Sequence, residues 1–169
     1  QVLMQMLSKN LYSDSIGSAI RECASNALDS HRRAQVQSPI VVKFGTNDQY
    51  NYEFSVEDFG IGLDDNDVKN IISKYGKSTK RDSNTGVERK YMMYEGEDTN
   101  SIDLIYENPT TEKNGVKVII PVSRSDRWDF ENKIKEQLAY FQNVYFDTDK
   151  VVDNDFVIYR SETFQFSEL

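Results

Sequence analysis

Two short stretches hold residue types that could do chemistry together. In "IRECASNALDSH", residues 20–31, a carboxylate, an amide and a second carboxylate follow one another as Glu22, Asn26 and Asp29. At about 100° of helical rotation per residue, spacings of four and three stack these polar side chains on one face of a helix. Ile16, Ile20, Cys23 and Ala27 fall on a different face, the apolar stripe expected to meet the core. The second stretch is "VEDFGIGLDDNDV", residues 56–68, where a β-rich run ends in Asp58 and continues through Gly60 and Gly62. A carboxylate at a strand's end can accept a hydrogen bond from an exocyclic amine, while glycines let the backbone turn sharply and leave room for a flat ring. Taken alone, the same letters suit a calcium loop or a plain tight turn, and the helical row suits an ordinary solvated face.

The elements that must position these residues alternate along the chain. Ser13 or Asp14 is the N-cap candidate of the first helix, which runs to about His31 or Arg33. "PIVVKF" (39–44) and "YNYEFSVED" (50–58) flank the turn-like "GTNDQ" and predict an antiparallel hairpin. A second helix is expected over 65 to about 75, opening at the acidic "DDND" and turning Val68, Ile71 and Ile72 inward. Strands follow at "VERKYMMYE", "SIDLIYE" and "VKVIIPV", separated by the turn signals "EGED" and "NPTTEKNG". A long amphipathic helix is predicted over roughly 126–143, after which "NVYFDTD" to "DFVIYR" returns to strand. Helices beside a largely antiparallel mixed sheet make the fold class α+β, a two-layer α/β sandwich with its helices on one face.

Composition narrows the functions. At 169 residues the chain is long enough to bury a real core. A net charge of −8 disfavours a generic, charge-driven grip on DNA or RNA. Cys23 is the single cysteine, which excludes an internal disulfide, fits a reducing compartment and, on the apolar stripe, reads as a packing residue. His31 is the single histidine and is expected at the surface; neither a Ser-His-Asp triad nor a multi-histidine zinc site is readily built. The longest apolar runs, such as "VIIPV", are too short to cross a bilayer.

The order E-x-x-x-N-x-x-D on a helix, a hairpin, D-x-G-x-G and then "NGVKVIIPV" resembles the GHKL ATPases, whose ATP-binding unit is the Bergerat fold. Gyrase, MutL, heat-shock chaperones of the Hsp-ninety type and histidine kinases share it. Asn26 followed by Asp29 is closer to the first three than to the kinases. In detail, "QMLSKNLYSDSIGSAIRECASNALDSH", "YGKSTKRDSN", "NGVKVIIPV" and "IKEQLAYFQNVYF" resemble the rIIA-like (rapid-lysis A) proteins of T4-type tailed phages over nearly the whole chain.

That resemblance implies roles residue by residue. Glu22 matches the general base acting on the attacking water, and Asn26 the asparagine whose amide oxygen binds Mg²⁺. Asp29 takes the last position of that box, facing the nucleotide pocket or supporting it. Asp58 matches the aspartate that accepts the adenine amino proton, with Gly60 and Gly62 under the ring. Gly115 matches the glycine of the last motif; Val116 stands where threonine is usual, which removes one water-mediated bond to adenine. Phe59 replaces a commoner asparagine and reads as packing. Lys77, Ser78 and Thr79 in "SKYGKSTKR" lie where a phosphate-facing lid starts in the family and are implied phosphate contacts, against the alternative that they, with Lys74, Lys80 and Arg81, are surface charge.

One family part is missing. "RDSN" runs straight into "TGVERKYMM" without the glycine-rich loop that cradles phosphates. Either the chain is shortened there and hydrolyses poorly, or a lid segment belongs between Asn84 and Thr85; the second is the expectation. The implied domains are an ATP-binding unit over 1–125 and the start of a transducer-like domain over 126–169. The implied activity is Mg²⁺-dependent ATP hydrolysis coupled to dimerisation or to binding a host or phage protein. The implied setting is the cytoplasm of an infected bacterium, with lysis timing or resistance to exclusion as the role and peripheral association with the inner membrane left open. A nucleotide-gated interaction module without turnover is the alternative, and a DNA-handling ATPase akin to MutL is discouraged by the acidic balance.

Overall fold

The computed structural model describes residues 14–49, 51–63, 77–82, 86–94, 101–147, 159–160 and 165–166. Helix α1, Ser15–Ala34, begins where the Asp14 carboxylate accepts the Gly17 N–H at 2.9 Å. It closes in a left-handed turn at Gln35 (φ 56°), where the Val36 and Gln35 N–H groups return to the carbonyls of His31 and Arg32. Its buried stripe includes Ala19, Ile20, Cys23, Ala24 and Ala27, with Ile16 packed at its margin.

Strands β1 (Ile40–Thr46) and β2 (Tyr52–Asp58) form the expected hairpin, with Phe44 opposite Phe54 and Val42 opposite Val56. Next come β3 (Lys77–Asp82), β4 (Val87–Tyr94), β5 (Ser101–Pro109) and β6 (Gly115–Val122). Helix α2 (Arg127–Leu138) leads to β7 (Val144–Asp147), and a separate two-stranded pair joins β8 (Tyr159–Arg160) to β9 (Gln165–Phe166). The main sheet has seven strands in the order β5-β4-β3-β6-β2-β1-β7. Within it the β1–β7 pairing is parallel and the other pairings are antiparallel.

Strand alternation assigns the two faces of the sheet. Ile40, Val42, Phe44, Phe54, Val56, Ile120 and Val122 turn toward the helices, where Phe130, Ile134 and Leu138 of α2 complete the core. The Phe130 ring stands 6.1 Å from Phe44 and 6.0 Å from Phe54. The opposite face carries ion pairs, Lys43 with Asp147 and Lys117 with Glu57. Both described helices therefore lie on one face of a largely antiparallel mixed sheet, the two-layer α+β arrangement expected. The boundary expected at 125/126 falls between β6 and α2, two elements that share this single core.

Three expectations are corrected. Helix α2 ends at Leu138, short of residue 143: the chain turns through Asn143 (φ 58°), whose carbonyl accepts the Ile40 N–H as β7 joins β1. The aromatic run Tyr140-Phe141 imitated a continuing helical face, yet Phe141 packs on the core from outside the helix and Tyr140 is exposed. Residues 77–82, expected to open a lid, are instead a strand between β4 and β6. His31, expected at the surface, is 3% exposed. The helix expected over 65–75, with Val68, Ile71 and Ile72, lies outside the described residues.

Candidate functional site

A cavity of about 480 Å³ opens between α1 and the sheet, beneath the loop that follows β2. The face of α1 carrying Cys23, Asn26, Ala27, Ser30 and Arg33 forms one wall, and Val56, Val116 and Val118 form the sheet side. Asp58 stands at the end of β2 and is 5% exposed. An apolar slot with a single buried carboxylate suits a flat heterocycle presenting a donor.

The carboxylate is held from several directions. Its Oδ1 accepts the Gly60 N–H at 2.9 Å and the Ser30 hydroxyl at 3.0 Å, and the Val116 N–H also donates to it. Burial pushes its pKa up to about 6; the three donors pull against burial, and neighbouring Glu57 adds to the rise. Ser30 accepts the Ile61 N–H at 3.2 Å, so its own proton is left for Asp58. One residue further along α1, His31 Nε2 accepts the Phe59 N–H at 2.7 Å while Nδ1 lies 3.0 Å from the Ser38 carbonyl. A backbone N–H can only donate, so Nε2 carries no proton and Nδ1 carries it. Burial lowers the pKa of this imidazole against the opposing pull of the Ser38 carbonyl. Ser30 and His31 thus clasp the 58–61 loop to the last turn of α1.

The glycines explain why the clasp closes. A Cβ on Gly60 would overlap Ser30, and one on Gly115 would overlap the Asp58 carbonyl, so both glycines permit close approach of backbone to backbone. Gly62 lines the cavity in the left-handed region (φ 71°), where glycine is favoured. Gly60 and Gly115 lie behind the cavity instead of lining it.

Asn26 and Asp29 line the cavity's mouth and are exposed. Asp29 is engaged in an ion pair with Arg32. Glu22 is half-buried, accepts the Asn26 amide N–H at 3.2 Å, and stands one turn away from the lining. On β3, Lys77, Ser78 and Thr79 pair in register with Ile119, Val118 and Lys117 of β6. Asp82 pairs with Val87; residues 83–85, where the lid is implied between Asn84 and Thr85, lie outside the described residues. Cys23 is buried in the wall with its thiol pushed to about 12 by desolvation and by Glu22, as a packing residue should be.

Ser30 and His31 are the site residues that the motifs did not mark. Ser30 lies four residues beyond Asn26 on the cavity-facing row, and His31 four beyond Ala27 on the apolar stripe. That periodicity is the signal that could have found them.

No protein-family model matches the sequence, and no curated protein matches it. Solved structures similar to the chain include the Aquifex aeolicus MutL ATPase domain complexed with ADP, at 13% identity and a TM-score of 0.49, covering 81% of this chain and 62% of that one. A second is the ATPase domain from the bacterial mismatch repair endonuclease Aquifex aeolicus MutL, at 14% identity and a TM-score of 0.49, covering 78% of this chain and 55% of that one. The chain spans less than two thirds of the length of either.

Among the described residues, no group of three His, Cys, Asp or Glu side chains comes together that could hold a metal. No helix among them is long and apolar enough to cross a membrane.

Proposed function

We propose that this chain is a Bergerat-type adenine-nucleotide-binding unit of the GHKL kind, and that it hydrolyses ATP with Mg²⁺. The observation that carries the reading is Asp58, a buried acceptor at the end of β2 in a cavity whose sheet side is apolar and whose other wall is α1. It accepts the exocyclic amine of adenine, Val56, Val116 and Val118 cover the ring, and Gly62 lets the loop pass close to it.

The helical row extends from the base toward the phosphates. Asn26 turns its amide nitrogen to Glu22, and its carbonyl oxygen is the atom suited to a hard cation. Mg²⁺ takes one or two protein oxygens when phosphates and water fill its remaining positions, so the donor set is sufficient. When bound, the ion supplies charge neutralisation across the phosphates. Glu22, half-buried beside Asn26, is the base that accepts a proton from the attacking water, with attack in line with the departing diphosphate. Lys77, Ser78 and Thr79 of β3 are taken as the phosphate contacts on the sequence resemblance alone.

The reading extends to an rIIA-like phage protein, with nucleotide binding coupled to dimerisation or to a host or phage partner and a role in lysis timing or resistance to exclusion; its support is the sequence resemblance alone. A second reading, nucleotide-gated binding without turnover, is favoured by one observation: "RDSN" runs straight into "TGVERKYMM" without a glycine-rich phosphate loop.

Calorimetric titration of Mg-ATP tests the pocket. Wild type should bind, and Asp58→Asn, which replaces the acceptor with a group that can also donate, should weaken ATP by about 10–100-fold. Absence of heat with wild type would remove the nucleotide reading. Phosphate release separates the two classes, since a binding module has none.

A further inference from the structure

The Asp58 carboxylate accepts a hydrogen bond from a helix residue outside every motif. Ser30 donates to Oδ1 at 3.0 Å, and the Ile61 N–H donated to Ser30 at 3.2 Å fixes the direction of that hydroxyl. Gly60 allows the loop to press directly onto Ser30, so the hydroxyl is held by packing as well as by hydrogen bonds. An ionised carboxylate only accepts, which matches the amino group of a 6-amino purine and opposes the carbonyl of a 6-oxo purine. A protonated carboxyl group carries an O–H that the 6-oxo group can accept. The choice of base therefore follows the protonation state of Asp58.

We propose that Ser30 is the positioning residue for base choice: its hydroxyl holds Asp58 in the acceptor form, so that the cavity takes a 6-amino purine and refuses a 6-oxo purine at neutral pH. This rests on the reading of the cavity as a nucleotide site and adds a determinant of its specificity.

The charged and titratable groups around Asp58 leave this assignment intact. From α1, Asp29 and Arg32 neutralise each other at the mouth, Arg33 lines the wall, and His31 is neutral with both ring nitrogens engaged. From β2, Glu57 lies on the opposite face of the sheet beside Lys117 of β6. Protonation of His31 would disturb the loop for either base, so it cancels in a ratio of affinities.

The test is calorimetric titration of Mg-ATP and Mg-GTP into wild type, Ser30→Ala and Ser30→Thr between pH 5.5 and 8.5, beside a carbon-13 NMR titration of the Asp58 carboxyl without nucleotide. Wild type should prefer ATP at pH 8 and lose that preference as pH falls through about 6. Ser30→Ala should move both the carboxyl midpoint and the pH of lost preference upward by about 1 unit, lowering the ATP/GTP affinity ratio near neutrality several-fold. Ser30→Thr, which keeps the hydroxyl, should retain the wild-type profile. If Ser30→Ala weakens both nucleotides by one factor and leaves the carboxyl midpoint unmoved, Ser30 is merely structural and the proposal falls. If wild type binds neither nucleotide at any pH, the nucleotide reading falls and base choice with it.

Discussion

The two ends of the cavity are built differently. At the Asp58 end, consecutive residues of α1 and consecutive residues of the 58–61 loop lock together through the Ser30 and His31 hydrogen bonds, with Gly60 and Gly115 admitting backbone contact. At the Glu22 end, half-buried Glu22 and exposed Asn26 come from a single helix, and Glu22 accepts the Asn26 amide N–H. The contrast teaches a division of labour. Under the proposed reading, the fold itself supplies a rigid base site, whereas catalysis on phosphates needs groups brought together around a bound ligand.

That contrast can be broken at either end. The largest expected effect is at the Glu22 end: if the chain is an ATPase, Glu22→Ala should lower phosphate release by about 10²–10⁴-fold while leaving the affinity for ATP within a few-fold. Equal turnover in the variant would remove Glu22 from the mechanism. At the rigid end, Gly115→Ala should cost about 3 kcal/mol of stability in urea unfolding, since its Cβ would overlap the Asp58 carbonyl. A variant as stable as wild type would show that the loop can yield there.

Acid–base titration sharpens the comparison further. The Asp58 carboxyl lies near 6 in the folded chain against an ordinary 3.8. Between those values the folded state binds more protons than the unfolded, so stability should fall as pH rises from about 4 to about 6, by roughly 2–3 kcal/mol, and level off above. Asp58→Asn should abolish that slope. His31 acts with the opposite sign. Its folded pKa is depressed, so its contribution is complete above 6.5 and is lost as pH falls through the folded value. His31→Gln should remove this term. The smallest effect belongs to the exposed Asp29–Arg32 pair, where Arg32→Ala should change stability by less than about 1 kcal/mol.

Legibility in the sequence followed the range of the forces involved. Helix α1 and the β1–β2 hairpin were readable because capping at Asp14, the apolar stripe and strand alternation are local patterns. Asp58 was readable as a strand-end carboxylate. Its clasp was not, because the partners of Ser30 and His31 lie 28 residues away in the chain. By polarity alone His31 reads as a terminal surface residue, yet its position four residues beyond Ala27 puts it on the buried stripe. Residues 77–82 resembled a charged lid because the pairing with β6 that makes them a strand is long-range. The end of α2 is hidden for a related reason: docking of β7 against β1 turns the chain at Asn143 while the apolar pattern runs on.

Cys23 gives the cavity a built-in clock. It is the chain's single sulfhydryl and stays almost wholly protonated near neutrality, so alkylation by iodoacetamide must wait for the wall to part. The labelling rate therefore reads the breathing of this one groove, and any compound seated inside it should slow the reaction in proportion to its occupancy.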